Sequence, residues 1–126
     1  MEVLRIAPTD DSPEVVMDQE GNHFEISGKS LPEDVVDFYQ PVLNWLAKYG
    51  EAPNPKTEFV FSLIYFNTAS SKMILDILMI LEEMVEQGHD VLVKWLSLDS
   101  DEDMQEAGRE YEEMIDVPFE HGTYRK

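Results

Sequence analysis

The sequence contains no cysteine among its 126 residues. Without thiols the protein cannot form disulfide bonds, thiolate metal sites or cysteine nucleophiles, which excludes several classes of enzyme. The lack of cysteine is also typical of proteins in the reducing cytoplasm, and that is the location we expect.

Basic residues are scarce as well. Nine Lys and Arg residues stand against 27 Asp and Glu residues, and the formal net charge is −18. Binding to a phosphate backbone or to an anionic membrane requires the opposite electrostatic field, so we expect neither nucleic acid nor membrane as a partner. A basic protein surface would be attracted, but solubility alone also explains the acidity, so the charge identifies no partner.

Long hydrophobic runs are missing too. No apolar stretch approaches the roughly 20 residues that cross a bilayer, and the N-terminus lacks the pattern of a secretion signal. We therefore expect a soluble protein that is not exported. Hydrophobic residues make up 43% of the chain, enough for one core. This predicts a single domain over residues 1–126, with residues 120–126 as a flexible, frayed tail.

The patterns that are present predict strands first and then a helix. A short strand and a hairpin are predicted at residues 3–7, 14–18 and 23–27. The sequence from Ser30 to Glu33 has capping-box spacing, so a helix is expected to begin there. Pro41 is expected to kink or split this helix, and Gly50 to end it.

The second half predicts a βαβ unit. Residues 58–66 are rich in apolar side chains at both odd and even positions, which is typical of a central strand covered on both faces. A helix over residues 70–87, a parallel strand over 91–98 and an acidic helix over 101–114, capped by Ser100, complete the pattern, with a short edge piece at 117–119. We therefore expect the α/β class: a mixed sheet with packed helices that contains a βαβ unit.

The junction between strand and helix carries more hydroxyl groups than a helix start requires. Thr68, Ser70 and Ser71 follow Asn67 at this point. One side chain is enough to cap a helix, and a helix N-terminus also favours an anion. Asn67, Ser70 and Ser71 are the candidate junction and capping residues. Two interpretations of the hydroxyl groups remain open: either one of them caps the helix and the others are incidental, or one accepts a phosphoryl group.

A helical wheel of the following segment separates a core face from a second apolar feature. The core face is predicted to comprise Ile74, Ile77, Leu78, Leu81, Met84 and Val85. Leu75 and Met79 fall in the polar arc instead, at nearly the same azimuth as Thr68. They are expected either to pack under the helix that contains Pro41 or to form an exposed stripe that docks a partner.

Lys72 and Glu82 join Leu75 and Met79 as candidates for binding that partner. Phosphorylation of Thr68 would add a charge of about −1.5 to −2 at the top of the stripe. Because a docked partner would have to desolvate this charge, the modification is expected to act as an off-switch.

An enzyme is the main alternative. The three histidines, His23, His89 and His121, are isolated in the sequence, and the paired carboxylates are typical of solvated helix faces. We therefore expect no catalytic residue, no metal and no cofactor. A structural homodimer that buries Leu75 and Met79 and leaves Thr68 unmodified is a further alternative.

The sequence resembles the SiaC family of regulatory phosphoproteins over nearly the whole chain, in the order of its elements and in three segments. They are Tyr65-Phe66-Asn67-Thr68-Ala69-Ser70-Ser71, Leu81-Glu82-Glu83 and Val93-Lys94-Trp95. In that family the threonine of a Tyr-Leu-Asn-Thr-Ser-Ser motif is phosphorylated, and it matches Thr68. Phe66 replaces the leucine of the motif and Ala69 replaces a serine.

The resemblance implies a STAS-like or SiaC-like fold and a partner-switching function similar in logic to that of anti-sigma factor antagonists. It implies that a dedicated kinase phosphorylates Thr68 and that a PP2C-type phosphatase reverses the reaction. It further implies that the unphosphorylated form binds and activates a diguanylate cyclase, which raises cyclic di-GMP and promotes biofilm formation.

Overall fold

A computed structural model describes residues 1–125 as a six-stranded sheet with three helices. The strands are β1 (Leu4–Ile6), β2 (Glu14–Asp18), β3 (His23–Ser30), β4 (Lys56–Phe66), β5 (Asp90–Leu98) and β6 (Phe119–Tyr124), and the helices are α1 (Val35–Tyr49), α2 (Thr68–Glu86) and α3 (Glu102–Met114). The strands lie in sequence order. β1 to β3 are antiparallel and β3 to β6 are parallel, which confirms the mixed α/β sheet and its βαβ unit.

The helices cover one face of this sheet. Successive parallel strands step in the same direction across the sheet, and crossovers of one hand then place every connecting helix on the same side. Alternate residues of β4 and β5, such as Phe61 and Trp95, are accordingly buried, while those between them are partly exposed. On the open face the Lys94 ammonium lies 2.9 Å from a Glu58 carboxylate oxygen. The prediction that residues 58–66 are covered on both faces is therefore wrong.

Trp95 sets the position of α3 over the sheet. Its indole N–H donates a hydrogen bond to the Met104 carbonyl at 2.9 Å. The helix approaches so closely at Gly108 that a Cβ there would collide with the indole ring of Trp95. The indole also packs against Tyr111, with the ring centroids 5.5 Å apart. These contacts place α3 beside α2 at the end of the sheet where β4 terminates.

The start of α1 differs from the prediction. Ser30 is the last residue of β3, paired with Phe66, because the ladder to β4 continues past the bulge at Gly28. The chain reaches the helix layer four residues later, and Asp34 caps α1 by accepting a hydrogen bond from the Asp37 amide at 3.1 Å. Pro41 lies inside one uninterrupted helix that ends before Gly50, so the helix is not split.

The C-terminal residues also differ from the prediction. Phe119–Tyr124 forms β6, which pairs in parallel with β5 as far as Leu98, so these residues are not a frayed tail. Their backbone hydrogen bonds come from a distant strand, which local polarity does not reveal. Lys126 lies outside the described residues. The cap of α3 is Asp101 rather than Ser100, since its carboxylate accepts from the Met104 amide.

Two further properties concern the described part of the chain. Within residues 1–125 the longest apolar helix falls short of what a membrane span requires. Over the same range no cluster of three His, Asp or Glu side chains is arranged to hold a metal ion.

Candidate functional site

Helix α2 begins immediately after β4, and Asn67 caps it. The Asn67 side-chain oxygen accepts a hydrogen bond from the Ser70 amide at 2.8 Å, and its backbone is extended, as the N-cap position requires. Of the three candidate residues the cap is therefore Asn67, and the expectation that Ser70 or Ser71 serves as the cap is wrong. The helix starts at Thr68, two residues earlier than predicted. The apolar periodicity does not reveal this start, because Thr68 and Ala69 are exposed and do not belong to the apolar pattern.

Replacing Asn67 by alanine should destabilise the fold through the loss of this cap. We expect a loss of about 1 kcal/mol, which for a domain of this size lowers Tm by about 4 °C. Differential scanning calorimetry of Asn67→Ala beside Thr68→Ala tests the assignment. If Thr68→Ala were the more destabilising of the two, the cap would have been assigned to the wrong residue.

The three hydroxyl groups of the junction have different environments. The Ser70 side chain is buried, and its hydroxyl donates to the Ser30 carbonyl at 2.8 Å. The Ser71 hydroxyl donates to the Thr68 carbonyl at 2.7 Å. Thr68 is exposed, and within residues 1–125 its hydroxyl enters no hydrogen bond. Ser71 is only partly buried, so Thr68 is the most accessible of the three hydroxyls and not the only accessible one.

A buried polar cluster lies under the junction, and we call it the Ser30–Tyr39–Ser70 cluster. The Ser30 hydroxyl donates to the Ser70 hydroxyl at 2.9 Å and is also hydrogen-bonded to the Tyr39 phenol. Because each hydroxyl has one proton to donate, the phenol must be the donor to Ser30. Burial raises the pKa of Tyr39 to about 12, so this proton is retained at physiological pH. The cluster joins β3, α1 and α2.

A stripe of four residues runs along α2 from the junction, and we call it the α2 stripe. It consists of Thr68, Lys72, Leu75 and Met79, which share one face at helical spacing. Met79 is 51% exposed, whereas Leu75 is half-buried. Leu75 lines a groove beside α3. The α2 stripe is therefore accessible at both ends.

The groove between α2 and α3 has a volume of about 240 Å³. It is lined by Phe66, Ser71, Lys72, Leu75, Ala107, Glu110, Tyr111 and Met114. The Tyr111 phenol donates to the Ser71 carbonyl at 2.8 Å, and burial raises its pKa. This hydrogen bond ties α3 to the first turn of α2, so the groove begins directly beside the junction.

Three features of this region were not predicted from the sequence: the hydrogen bond of Glu82 to the chain after α3, and the exposure of Met114 and Tyr65. The Glu82 carboxylate accepts a hydrogen bond from the Asp116 amide at 2.6 Å and so holds the segment that follows α3. Met114 is 61% exposed at the groove, and Tyr65 is 54% exposed just before the junction. Sequence reasoning missed Met114 because it does not reveal which helices are neighbours. Tyr65 could have been noticed in the sequence, because it is an aromatic residue close to the hydroxyl groups of the junction.

The histidines that hydrogen-bond to carboxylates lie far apart in the sheet. His23 on β3 contacts Glu25 at 2.9 Å, and His121 on β6 contacts Glu112 at 2.8 Å. Each ring has a single carboxylate partner among residues 1–125. The geometry of these pairs gives no convergent set of acid, base and nucleophile.

Comparison with known proteins identifies relatives along nearly the full chain. The sequence model of the family described as SiaC family regulatory phosphoprotein matches residues 6–124. An uncharacterised protein of Pseudomonas aeruginosa strain UCBPP-PA14 is 29% identical over 119 residues, which is 94% of each chain.

Solved structures agree with this result. SiaC of Pseudomonas aeruginosa superposes with a TM-score of 0.88 at 27% identity and covers 98% of this chain and 100% of its own. A chain in the crystal structure of the diguanylate cyclase SiaD in complex with its activator SiaC, from the same organism, gives a TM-score of 0.91 at 27% identity. That match covers 96% of this chain and 99% of its own.

Proposed function

Because the chain belongs to the SiaC family of regulatory phosphoproteins, we propose that it is the non-enzymatic, reversibly phosphorylated member of a cytoplasmic partner-switching module. A protein kinase phosphorylates Thr68, and a PP2C-type phosphatase removes the phosphate. The unphosphorylated form binds and activates an effector protein, which by similarity is a diguanylate cyclase. Its output is cyclic di-GMP and, through it, biofilm formation.

The exposure of Thr68 at the head of the α2 stripe is the observation that carries this proposal. Its hydroxyl is accessible, while those of Ser70 and Ser71 donate to backbone carbonyls. A kinase therefore meets Thr68 as the most exposed acceptor of this junction. The acceptor also lies beside an apolar surface on the same helix, so that its modification and the docking of a partner can influence each other.

The dimensions of the α2 stripe support a switch that works by occlusion. From Thr68 to Met79 the helix rises about 16 Å, and from Thr68 to Leu75 about 10 Å. A partner that covers Leu75 and Met79 therefore reaches the modified residue. The phosphate brings a charge of about −2 to within about one Debye length of that contact, and docking would have to desolvate it.

The surroundings of the α2 stripe indicate the chemistry of the effector surface. Asp76 and Glu83 on α2 and Glu110 on α3 lie near an apolar centre that includes Met79. The complementary surface is apolar with a basic rim. The complex between the diguanylate cyclase SiaD and its activator SiaC supports a cyclase as the effector of this chain. A phosphate on Thr68 would attract a basic rim, so we expect it to oppose docking through the cost of desolvating the modified threonine and not through charge repulsion.

Intact-mass measurement of the protein purified from its native cells tests the proposal. With the kinase present we expect an increment of one phosphate, mapped to Thr68 by fragmentation, and in a strain that lacks the kinase we expect none. The unphosphorylated protein, mixed with the purified cyclase, should raise the rate of cyclic di-GMP synthesis, and the phosphorylated protein should not. A phosphate on a different residue, or equal activation by both forms, would refute the proposed switch.

A further inference from the structure

We infer that the Ser30–Tyr39–Ser70 cluster positions Thr68 for phosphoryl transfer and prevents Ser70 from serving as the acceptor. The inference rests on the proposed function and adds a positioning role for residues that do not touch the phosphate donor. It concerns Tyr39 above all, because this residue lies on another helix and is 29 positions away from Thr68 in the chain.

Both sides of Thr68 are anchored to a single carbonyl oxygen. The Ser30 carbonyl accepts from the Asn67 amide at 3.1 Å and from the Ser70 hydroxyl at 2.8 Å. Thr68 and Ala69 form the short arch between these two attachments, and the Asn67 cap spans the same arch. The position of the Thr68 hydroxyl is therefore set by Ser30, at the end of the neighbouring strand.

The cluster is a directed chain of hydrogen bonds that starts at Tyr39. The phenol donates to the Ser30 hydroxyl, which donates to the Ser70 hydroxyl, which donates to the Ser30 carbonyl. All three side chains are fully buried. A buried polar group that loses its partner has no water to replace it, so each hydrogen bond maintains the next.

Phosphoryl transfer is sensitive to such positioning. The Thr68 oxygen attacks the terminal phosphorus of ATP, the new P–O bond forms, and the bond to the ADP oxygen breaks. The hydroxyl proton passes to a base of the kinase. The reaction requires the attacking oxygen to lie in line with the leaving oxygen. Mobility of Thr68 therefore lowers the rate of transfer more than it lowers the affinity of the kinase for the protein.

The same contacts remove Ser70 from competition. Its hydroxyl donates a hydrogen bond to the Ser30 carbonyl and accepts one from the Ser30 hydroxyl, and no part of the side chain is exposed. A kinase could reach it only after the first turn of α2 had unfolded. The cluster thus accounts for the choice between two hydroxyls that are two residues apart.

A pair of tyrosines on α1 provides a matched test. Tyr39 bonds to Ser30 near the junction. Tyr49, buried to nearly the same degree, bonds to the Thr57 hydroxyl at 2.7 Å and accepts from the Asn54 amide at 3.0 Å near the start of β4. The variants Tyr39→Phe and Tyr49→Phe each remove one buried phenol oxygen from the same helix. Initial rates of phosphate incorporation are measured over a range of protein concentrations, with ATP and the extract of the native cells as the source of kinase.

Tyr39→Phe should lower the apparent kcat at least fivefold and leave the apparent KM within twofold of the parent protein. Tyr49→Phe removes two hydrogen bonds and should lower Tm at least as much, yet it should leave both kinetic constants within twofold. Equal effects of the two variants, or a change confined to KM, would overturn the positioning role. Ser70→Ala, with the buried Ser97→Ala as its control, repeats the comparison should Tyr39→Phe fail to fold.

Two further results separate this inference from the proposed function. In Thr68→Ala the cluster is intact, so no phosphate should be transferred to Ser70, and its appearance there would refute the exclusion. If the parent protein itself acquired no phosphate on Thr68, the proposed function would fail. If the parent is phosphorylated and Tyr39→Phe behaves like Tyr49→Phe, only the positioning role fails.

Discussion

Thr68→Ala should abolish phosphorylation and hold the protein in the form that binds its effector. Ser70 is buried and the Ser71 hydroxyl is held on the Thr68 carbonyl, so we expect neither to replace the missing acceptor. In an extract that contains the kinase and ATP, the parent protein should progressively lose its ability to activate the cyclase, whereas the variant should retain it. The rate of cyclic di-GMP synthesis after incubation measures the difference, and the mass of the recovered protein reports the phosphate.

Thr68→Ser is the matched control for this substitution, because it keeps a hydroxyl at the same position. It should be phosphorylated and switched off like the parent protein. Since Asn67 and not Thr68 caps α2, we expect Thr68→Ala to change the free energy of unfolding by no more than about 0.5 kcal/mol. A variant that folds normally but no longer binds the cyclase would show that Thr68 belongs to the contact and does not only regulate it.

Met79→Asp should weaken effector binding by about thirtyfold or more. Met79 is 51% exposed at the far end of the α2 stripe, and a central apolar residue of an interface commonly contributes about 2 kcal/mol or more. A buried carboxylate without a partner adds a desolvation cost. Titration calorimetry with the purified cyclase gives the change in Kd, and calorimetric melting should show Tm within a few degrees of the parent.

Val36→Asp is the control for Met79→Asp. Val36 is 54% exposed on α1, so the substitution introduces the same carboxylate at a similar exposure outside the α2 stripe. It should leave Kd within about twofold. Leu75→Asp should weaken binding as well, but with a larger loss of stability because Leu75 is half-buried beside α3. Equal effects of Met79→Asp and Val36→Asp on Kd would place the docking surface elsewhere.

Some of these features could be predicted because they depend on local patterns. The alternation between strand and helix patterns predicted a parallel βαβ unit, and β4, α2 and β5 form it. The wheel predicted the core face of α2, in which Ile74, Ile77, Leu78, Leu81 and Met84 are buried. It also separated Leu75 and Met79 from that face. Periodicity is visible in the sequence because the backbone geometry of each element is regular.

Other features depend on which distant segments meet. Ser30 has the spacing of a helix cap but pairs with Phe66 at the end of β3. The pairing with β4 continues past the bulge at Gly28, and no local sequence pattern shows this. The polarity of residues 119–124 favoured a tail, and only pairing with β5 makes them a strand. The groove exists because Trp95 and Gly108 bring α3 against the first turns of α2.

The sequence by itself determined the order of the elements from β1 to α3, the core face of α2 and the presence of Thr68 at a strand-to-helix junction, because composition and periodicity act within a short stretch of chain. Tertiary structure decided which hydroxyl is accessible. The carbonyl of Ser30 comes from another strand and the phenol of Tyr39 from another helix, and together they engage Ser70 and leave Thr68 exposed. Hydrogen bonds between groups so far apart in the chain form only when the sheet and its helices are assembled.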